Sequence, residues 1–260
     1  MASNRTTEEW AEVVREKIQQ VLGGEEAGSV TVDPDYEKKL AQYIDHTLLK
    51  PDATPAQIDA LCNEALQYGF KSCCVNGANV AQVARRLEGS ASIACAVIGF
   101  PLGASTSPVK AYETEDAIRD GAREIDMVVN VGALKAGLYP LVFSDIAAVV
   151  SAAGKVPVKV ILETALLTDA EKVAGSFIAA EAGAAFVKTC TGFGGGGASV
   201  SDVSLMRKAV AYKPEVQVKA SAAIRSYEAC VAMIRAGATR IGTSSGVTIM
   251  AKSGADGHAY

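Results

Sequence analysis

A strand-like segment followed by a helix-like segment recurs eight times between Tyr43 and Ser245, and this repetition leaves very few possible folds. Each unit spans about 28 residues and contains an apolar, β-branched run, a loop and a stretch with helical spacing. The eight runs are Tyr43–Leu49, Lys71–Asn76, Ser92–Phe100, Glu124–Val131, Val156–Glu163, Phe186–Gly192, Gln217–Ala222 and Arg240–Ser245. They are apolar on both faces, which is typical of parallel strands covered by helices. The pattern predicts an α/β fold, a single (β/α)8 TIM barrel.

Local signals mark where the helices begin. Thr54–Gln57 and Thr168–Glu171 have the sequence of capping boxes, and Ser107-Pro108 places a proline at the start of another helix. The alternative is a doubly wound open sheet. That fold favours a G-x-G-x-x-G turn after the first strand, and His46–Pro51 contains no such turn.

The 260-residue chain divides into three predicted parts: an N-terminal helix and linker over 1–36, the barrel over 37–252 and a flexible C-terminal tail over 253–260. Thr6 and Glu9 form a further predicted capping box. Trp10, Val14 and Ile18 then fall on one helical face. We expect this helix to pack on the N-terminal face of the barrel or on a neighbouring subunit.

Charge and composition exclude several classes of function. Lys and Arg total 25 against 29 Asp and Glu, and a net charge of -4 does not suit nucleic-acid binding. No apolar run reaches the roughly 18 residues that cross a membrane, and acids near the N-terminus argue against a secretion signal. We therefore expect a cytoplasmic protein with reduced cysteines. Two histidines are too few for a histidine-based metal site.

Charged side chains interrupt the apolar strands. Burying any one of them alone would cost several kcal/mol, so we expect them to meet one another. Because active sites of this fold lie at the C-terminal ends of the strands, they should form a charged pocket there. The residues are Asp45, Asp126, Lys159, Glu163, Lys188 and Lys219.

Two of these residues are lysines on consecutive strands, Lys188 and Lys219, each flanked by small residues. A second ammonium group and a pocket drier than water favour a neutral lysine amine, which is nucleophilic toward a carbonyl. The alternative is that each lysine only pairs with Asp126 or Glu163. Asp126 itself could relay protons, serve as a counter-ion, or do both.

Two glycine-containing loops are candidates for binding an anion. Gly192–Gly197 follows the sixth strand and Gly242–Gly246 ends the eighth, where barrels commonly hold phosphate on backbone N–H groups. The alternative for each loop is flexibility alone.

The strand sequences resemble the 2-deoxyribose-5-phosphate aldolase family of class I aldolases along nearly the entire barrel. The segments that carry the resemblance are Ile44–Leu49, Glu124–Val128, Val158–Thr164, Val187–Phe193, Val218–Ser221 and Ile241–Gly246. Six ordered segments are far more specific than any single motif.

The resemblance implies reversible cleavage of 2-deoxy-D-ribose 5-phosphate to acetaldehyde and D-glyceraldehyde 3-phosphate, with no metal or organic cofactor. It implies that Lys188 forms a Schiff base, that Lys219 favours the neutral form of Lys188, and that Asp126 transfers protons. Residues similar to the family's supporting shell are Asp45, Thr47, Cys74 and Lys159.

Phosphate binding is where this chain departs from the family pattern. The family usually has two glycines after Lys219-Ala220-Ser221, and this chain has Ala222-Ala223, which would be strained if φ is positive there. The predicted phosphate-binding residues are Gly192, Ala222, Ala223, Ser244 and Ser245. The resemblance also implies a mobile C-terminal tyrosine, here Tyr260, that reaches the pocket; the alternative is a frayed end.

Two other functions stay open at this stage. One is a catalytically silent barrel that acts as a binding or regulatory partner, and the other is a different class I aldolase or a transaldolase. The expected partners are a phosphorylated sugar and acetaldehyde, with neither nucleic acid nor membrane. The resemblance implies a homo-oligomer, either a dimer or a tetramer.

Overall fold

Eight parallel strands close into a barrel in chain order, with β1 hydrogen-bonded to both β2 and β8. The computed structural model describes residues 5–24 and 32–253. The strands are β1 (Ile44–Leu48), β2 (Ser72–Val75), β3 (Ile93–Ile98), β4 (Glu124–Val128), β5 (Val158–Ile161), β6 (Phe186–Lys188), β7 (Gln217–Ser221) and β8 (Arg240–Thr243). The predicted TIM barrel is confirmed.

Helices follow the strands and cover the outside of the barrel. They are α1 (Thr7–Leu22), α2 (Pro55–Tyr68), α3 (Val80–Arg86), α4 (Ser107–Arg119), α5 (Val131–Lys135), α6 (Tyr139–Ala153), α7 (Asp169–Glu181), α8 (Val200–Ala209), α9 (Tyr227–Arg235) and α10 (Gly246–Ser253). Short 3-10 helices occupy Leu40–Tyr43, Gly77–Asn79 and Thr164–Leu166. No described helix is both long and apolar enough to cross a bilayer.

The predicted helix starts agree closely with the structure. Thr6, Thr54 and Thr168 each accept a hydrogen bond from the backbone three residues later, and the Glu or Gln there returns the bond. Pro108 is the second residue of α4, one position later than predicted. These caps satisfy backbone N–H groups that a helix leaves unpaired, and they fix where each helix begins.

Two kinds of residue fill the space inside the strands. Leu49, Cys74, Cys95 and Val97 form a small buried apolar cluster with Phe100 packed against it. Charged side chains occupy the remainder, whereas the outward faces of the strands pack into the main core beneath the helices. A cavity lined by Lys188 lies at the end where the strand-to-helix loops meet.

The N-terminal helix lies along the outer helices α6, α7 and α8, so the expected position on the N-terminal face of the barrel is wrong. The fully buried Trp10 ring is 5.1 Å from that of Phe143 and 6.4 Å from that of Phe177. The aromatic surface of α6 and α7 provides this docking site, and neither ring belongs to the barrel end. The boundaries 1–36, 37–252 and 253–260 stay predictions.

Candidate active site

Seven charged side chains inside the barrel form one continuous set of ion pairs, called here the charge network. All seven are buried. Its carboxylates are Asp45, Glu124 and Asp126, and its cations are Lys159, Lys188, Lys219 and Arg240.

Asp126 lies at the centre of the charge network. Its Oδ1 atom is 2.7 Å from Lys159 Nζ, and its Oδ2 atom is 2.7 Å from both Lys188 Nζ and Lys219 Nζ. Strand register explains the convergence, since Asp126 is opposite Lys159 and Lys188 is opposite Lys219. The pleat of each strand directs these alternate side chains to the same interior.

A deeper part of the charge network holds two of the lysines in place. Lys219 Nζ also contacts Asp45, and Lys159 Nζ is 2.7 Å from Glu124 Oε2. Arg240 closes this part, with Nη1 2.9 Å from Asp45 Oδ1 and 2.7 Å from Glu124 Oε2. Lys159 and Lys219 are therefore each bound by more than one carboxylate.

Protonation follows from these contacts. Burial opposes ionisation of Asp126, but Lys159, Lys188 and Lys219 outweigh it and hold its pKa well below the usual range. Burial also opposes the charge of Lys219, but Asp126 and Asp45 outweigh it and raise its pKa. Three carboxylates face four cations in the charge network, so full ionisation leaves one positive charge in surplus.

A cavity of about 400 Å³ lies over the charge network, and among its described lining residues Lys188 is the one network member. The lining carries three cationic side chains, Lys50, Lys188 and Arg225, and no described acidic residue. In a protein with a net charge of -4, this cavity is a local concentration of positive charge, which suits an anion.

Most of the predicted phosphate-binding residues line this cavity. They are Gly192, Ala222, Ala223 and Ser244. The predicted Ser245 is not among the lining residues, and its backbone N–H donates to Thr243 Oγ1 at 2.9 Å. The Ser245 amide is therefore already bonded to the Thr243 hydroxyl, whereas the sequence predicted Ser245 to bind phosphate.

Alanine occupies a glycine-like conformation at two consecutive positions. Ala222 has φ 75° and Ala223 has φ 61°, so both lie in the left-handed region, which meets the condition under which the sequence implied strain. The Ala223 methyl group also leaves no room for a side chain at position 197, because a Cβ atom built on Gly197 would lie 2.4 Å from the Ala223 Cβ atom. Close packing explains the glycine at 197, and flexibility is not needed as an explanation.

Glu163 does not join the charge network, contrary to the expectation that all six strand charges would meet. Its carboxylate accepts hydrogen bonds from the backbone N–H and the hydroxyl of Thr191. Sequence reasoning also missed Glu124 and Arg240 as network members. The signal for Glu124 was its position two residues before Asp126, which places both on one face of β4.

The remaining predicted residues lie around the charge network. Thr47 lines the cavity and its hydroxyl donates to the Asp45 carbonyl at 2.9 Å. Cys74 Sγ lies 4.0 Å from Asp126 Oδ2, and Cys95 Sγ, which the sequence did not single out, lies 3.2 Å from Oδ1. Tyr260 lies outside the described residues.

Cys74, Cys95 and Asp126 are also the one described group whose ligand atoms are close enough together for a metal ion, within 4.8 Å. Three ammonium groups already bind the Asp126 carboxylate. A metal cation would enter a surplus of positive charge, so this group does not suit a metal.

Comparisons with known proteins give matches over most of the chain. A family model described as DeoC/LacD family aldolase matches residues 39–252. The deoxyribose-phosphate aldolase of Macrococcus caseolyticus is 60% identical over 211 residues, which cover 81% of this chain and 95% of that protein. That of Streptococcus suis is 57% identical over 219 residues, 84% of this chain and 99% of that protein.

Solved structures extend the likeness to the N-terminal helix. A putative deoxyribose-phosphate aldolase of Coccidioides immitis superposes with a TM-score of 0.90 at 40% identity, over 96% of this chain and 98% of that one. A deoxyribose phosphate aldolase of Aeropyrum pernix, described as tetrameric, gives 0.77 at 32% identity, over 92% and 97%. The match to the Coccidioides immitis structure covers too much of this chain to omit all of α1, whereas the Macrococcus and Streptococcus relatives leave between a sixth and a fifth of the chain uncovered.

Proposed function

This chain belongs to the DeoC/LacD family of aldolases, and we propose that it cleaves 2-deoxy-D-ribose 5-phosphate reversibly to acetaldehyde and D-glyceraldehyde 3-phosphate. The names of its relatives support the substrate. The observation that carries the mechanism is the position of Lys188, with its amine 2.7 Å from Asp126 and facing the cationic cavity.

Lys188 is the lysine best suited to be the nucleophile. Asp45 and Glu124 hold Lys219 and Lys159 as ammonium ions, whereas the ion pair of Lys188 is with Asp126 alone among the described residues. Loss of one proton from Lys188 leaves three cations facing three carboxylates. Lys219 shares the same Asp126 oxygen and repels a second charge beside it. The free amine that remains can attack a carbonyl.

The reaction then follows from the electron demand of a protonated imine. Lys188 Nζ adds to the C1 aldehyde of the open sugar, water leaves, and the imine forms. As the C3 hydroxyl loses its proton, the C2–C3 bond breaks, its electrons move into the enamine, and glyceraldehyde 3-phosphate departs. Protonation at C2 and hydrolysis release acetaldehyde. Asp126, with Lys219 and a water molecule, moves these protons.

The phosphate of the substrate would lie at the outer part of the cavity. Gly192, Ala222 and Ala223 offer backbone amides there and Ser244 a hydroxyl, while Lys50 and Arg225 add positive charge. A role for Ser245 stays a prediction.

We also infer that the chain forms a homo-oligomer, because the Aeropyrum pernix relative is tetrameric. Proton transfer by Tyr260 and a cytoplasmic location stay predictions.

The test is to measure acetaldehyde released from 2-deoxyribose 5-phosphate, coupled to NADH oxidation by alcohol dehydrogenase. We expect release by the unsubstituted protein and none above background by Lys188→Met, whereas Lys208→Met, at an exposed position on α8, keeps full activity. No acetaldehyde from the unsubstituted protein would identify a silent barrel. Preference for a keto donor in a donor panel would identify another class I aldolase or a transaldolase.

A further inference from the structure

We propose that Glu163 is a positioning residue for the phosphate-bearing end of the substrate, acting through Thr191 on the glycine-rich loop 192–197. This inference rests on the proposed function, because it assigns a role to the side of the same cavity that receives the anion. The carboxylate contacts the loop, and the loop contacts the ligand.

Glu163 has two features that a merely structural residue seldom combines. Its φ is 58°, in the left-handed region where a β-carbon is unfavourable, and its side chain is 3% exposed. Among the described residues, no lysine or arginine forms an ion pair with it. A buried carboxylate without a cation must be satisfied by the groups that donate to it.

Those groups belong to the start of the loop. The Thr191 backbone N–H lies 3.3 Å from each Glu163 carboxylate oxygen, and the Thr191 hydroxyl donates to Oε2. The same hydroxyl oxygen accepts a hydrogen bond from the Phe193 N–H at 3.0 Å. One carboxylate thus fixes two backbone amides, those of Thr191 and Phe193, the second of them through the Thr191 hydroxyl.

The loop also lies directly on the Glu163 side chain. A Cβ atom built on Gly194 would be 2.7 Å from Glu163 Cδ, so only glycine permits this approach. Farther along, the Ala198 N–H donates to the Ala222 carbonyl at 3.1 Å. The loop is therefore anchored at one end on Glu163 and at the other on the strained Ala222.

The anchored loop forms one wall of the cavity. Thr191, Gly192, Phe193 and Gly196 line it opposite Ala222, and the Phe193 ring meets the Phe100 ring edge-on at 5.3 Å. The N–H groups of Thr191 and Phe193 donate to Glu163 and to the Thr191 hydroxyl, and this fixes the orientation of the intervening Gly192 amide. The anionic end of the substrate depends on that direction, whereas the aldehyde carbon at Lys188 does not.

The charge of Glu163 would oppose its positioning effect. A carboxylate near a phosphate repels it, so neutralising Glu163 would strengthen binding if repulsion dominated. If positioning dominates, neutralisation weakens binding because a neutral amide oxygen is a weaker acceptor than a carboxylate, and the glutamine NH2 group cannot accept the second contact of the Thr191 N–H. The two effects predict opposite changes in KM.

The experiment compares 2-deoxyribose 5-phosphate with unphosphorylated 2-deoxyribose in Glu163→Gln and Thr191→Val. We expect KM for the phosphorylated sugar to rise about tenfold, as for loss of one hydrogen bond, with kcat/KM for the unphosphorylated sugar within about twofold. The double variant should lose no more than either single variant, because the two residues act as one unit. Thr191→Ser, which keeps the hydroxyl, should restore KM.

Thr114→Val is the matched control, since its buried hydroxyl donates only to the Lys110 carbonyl within α4. It should leave both substrates unaffected. An unchanged or lower KM for the phosphorylated sugar in Glu163→Gln, or an equal loss for both sugars, would overturn the positioning role. Borohydride trapping of acetaldehyde on Lys188 separates the two proposals: absence of trapping in the unsubstituted protein refutes the Schiff base, whereas trapping with an unmoved KM refutes only the role of Glu163.

Discussion

Asp126 is the most highly shared group of the barrel interior, because three lysine side chains contact its two oxygens. A carboxylate with this many partners stays ionised despite full burial. The lysine partners oppose protonation of Asp126, and loss of charge from one of them lessens this opposition. In the proposed mechanism, this links proton transfer at Asp126 to the charge of Lys188.

Replacing Asp126 by asparagine tests that link. We expect Asp126→Asn to lower kcat by about 10²- to 10⁴-fold, the usual contribution of a positioned acid or base. It should also lower the free energy of unfolding by about 3–5 kcal/mol, because buried cations lose their partner. Steady-state kinetics and urea unfolding measure the two effects.

Asp145→Asn is the matched control. Asp145 is buried 2.6 Å from Lys110 Nζ, on the outer side of the strands between α4 and α6, so this variant should lose comparable stability while kcat stays unchanged. Unchanged kcat in Asp126→Asn would show that the carboxylate is only a counter-ion.

Ala222 and Ala223 allow a second test at single residues. Replacing both by glycine removes two strained β-carbons, so we expect the free energy of unfolding to rise by about 1 kcal/mol for each residue. The relaxed amides should also lower KM for the phosphorylated substrate. Thermal unfolding and initial rates measure these effects.

Ala198→Gly provides the comparison, because its φ is not positive and a new glycine there should bring no gain in stability. An unchanged KM in the double glycine variant would mean that these amides already face the phosphate or never do.

At the scale of elements, α1 stabilises the barrel from outside. Its Trp10 is fully buried against α6 and α7, whereas Leu22 at its end is 48% exposed. We expect Trp10→Ala to cost about 3–5 kcal/mol in urea unfolding with kcat unchanged, and Leu22→Ala to cost much less. A large loss of kcat in the folded Trp10 variant would show that α1 influences the site.

Element positions could be predicted where the signal is local. The capping boxes at Thr54 and Thr168 depend on four consecutive residues, so both helices begin where the sequence placed them. The end of β6 could not be predicted. The chain leaves the sheet after Lys188, although the predicted run continues to Gly192, and the loop that follows packs on Glu163 and Ala223.

In the site, too, the residue types could be predicted from each strand alone, whereas their partners depended on contacts between strands. Lysines and acids in apolar strands indicated a charged pocket, and Asp45, Asp126, Lys159, Lys188 and Lys219 do converge. The partner of each charge depended on register between strands far apart in sequence. For that reason Arg240 was missed and Glu163 was wrongly placed with the lysines.

At the scale of the whole molecule, the charge network makes stability depend on pH. Burial opposes ionisation of Asp126 and Glu124, but the neighbouring cations outweigh it and lower both pKa values. A carboxyl with a lower pKa in the folded chain binds fewer protons there than when unfolded, so acid favours unfolding. Its contribution is complete above the unfolded pKa, near 3.9 to 4.3, and is lost as the pH falls toward the folded value.

We therefore expect the free energy of unfolding to be level between about pH 6 and 8 and to fall below about pH 4, measured by urea titration. The raised pKa values of Lys159 and Lys219 act at the other extreme, since their contribution is lost only above about 10.4. Asp126→Asn should show a shallower decline in acid. An equal decline would mean that Asp126 does not carry this dependence.

The most direct test of the mechanism is to identify which amine captures the aldehyde. The protein is incubated with acetaldehyde near pH 7.5 and borohydride, and its peptides are mapped by mass spectrometry. The structure predicts one reduced adduct, on Lys188, because Lys159 and Lys219 are held as cations by additional carboxylates. An adduct on either of those lysines, or none on Lys188, would contradict the account.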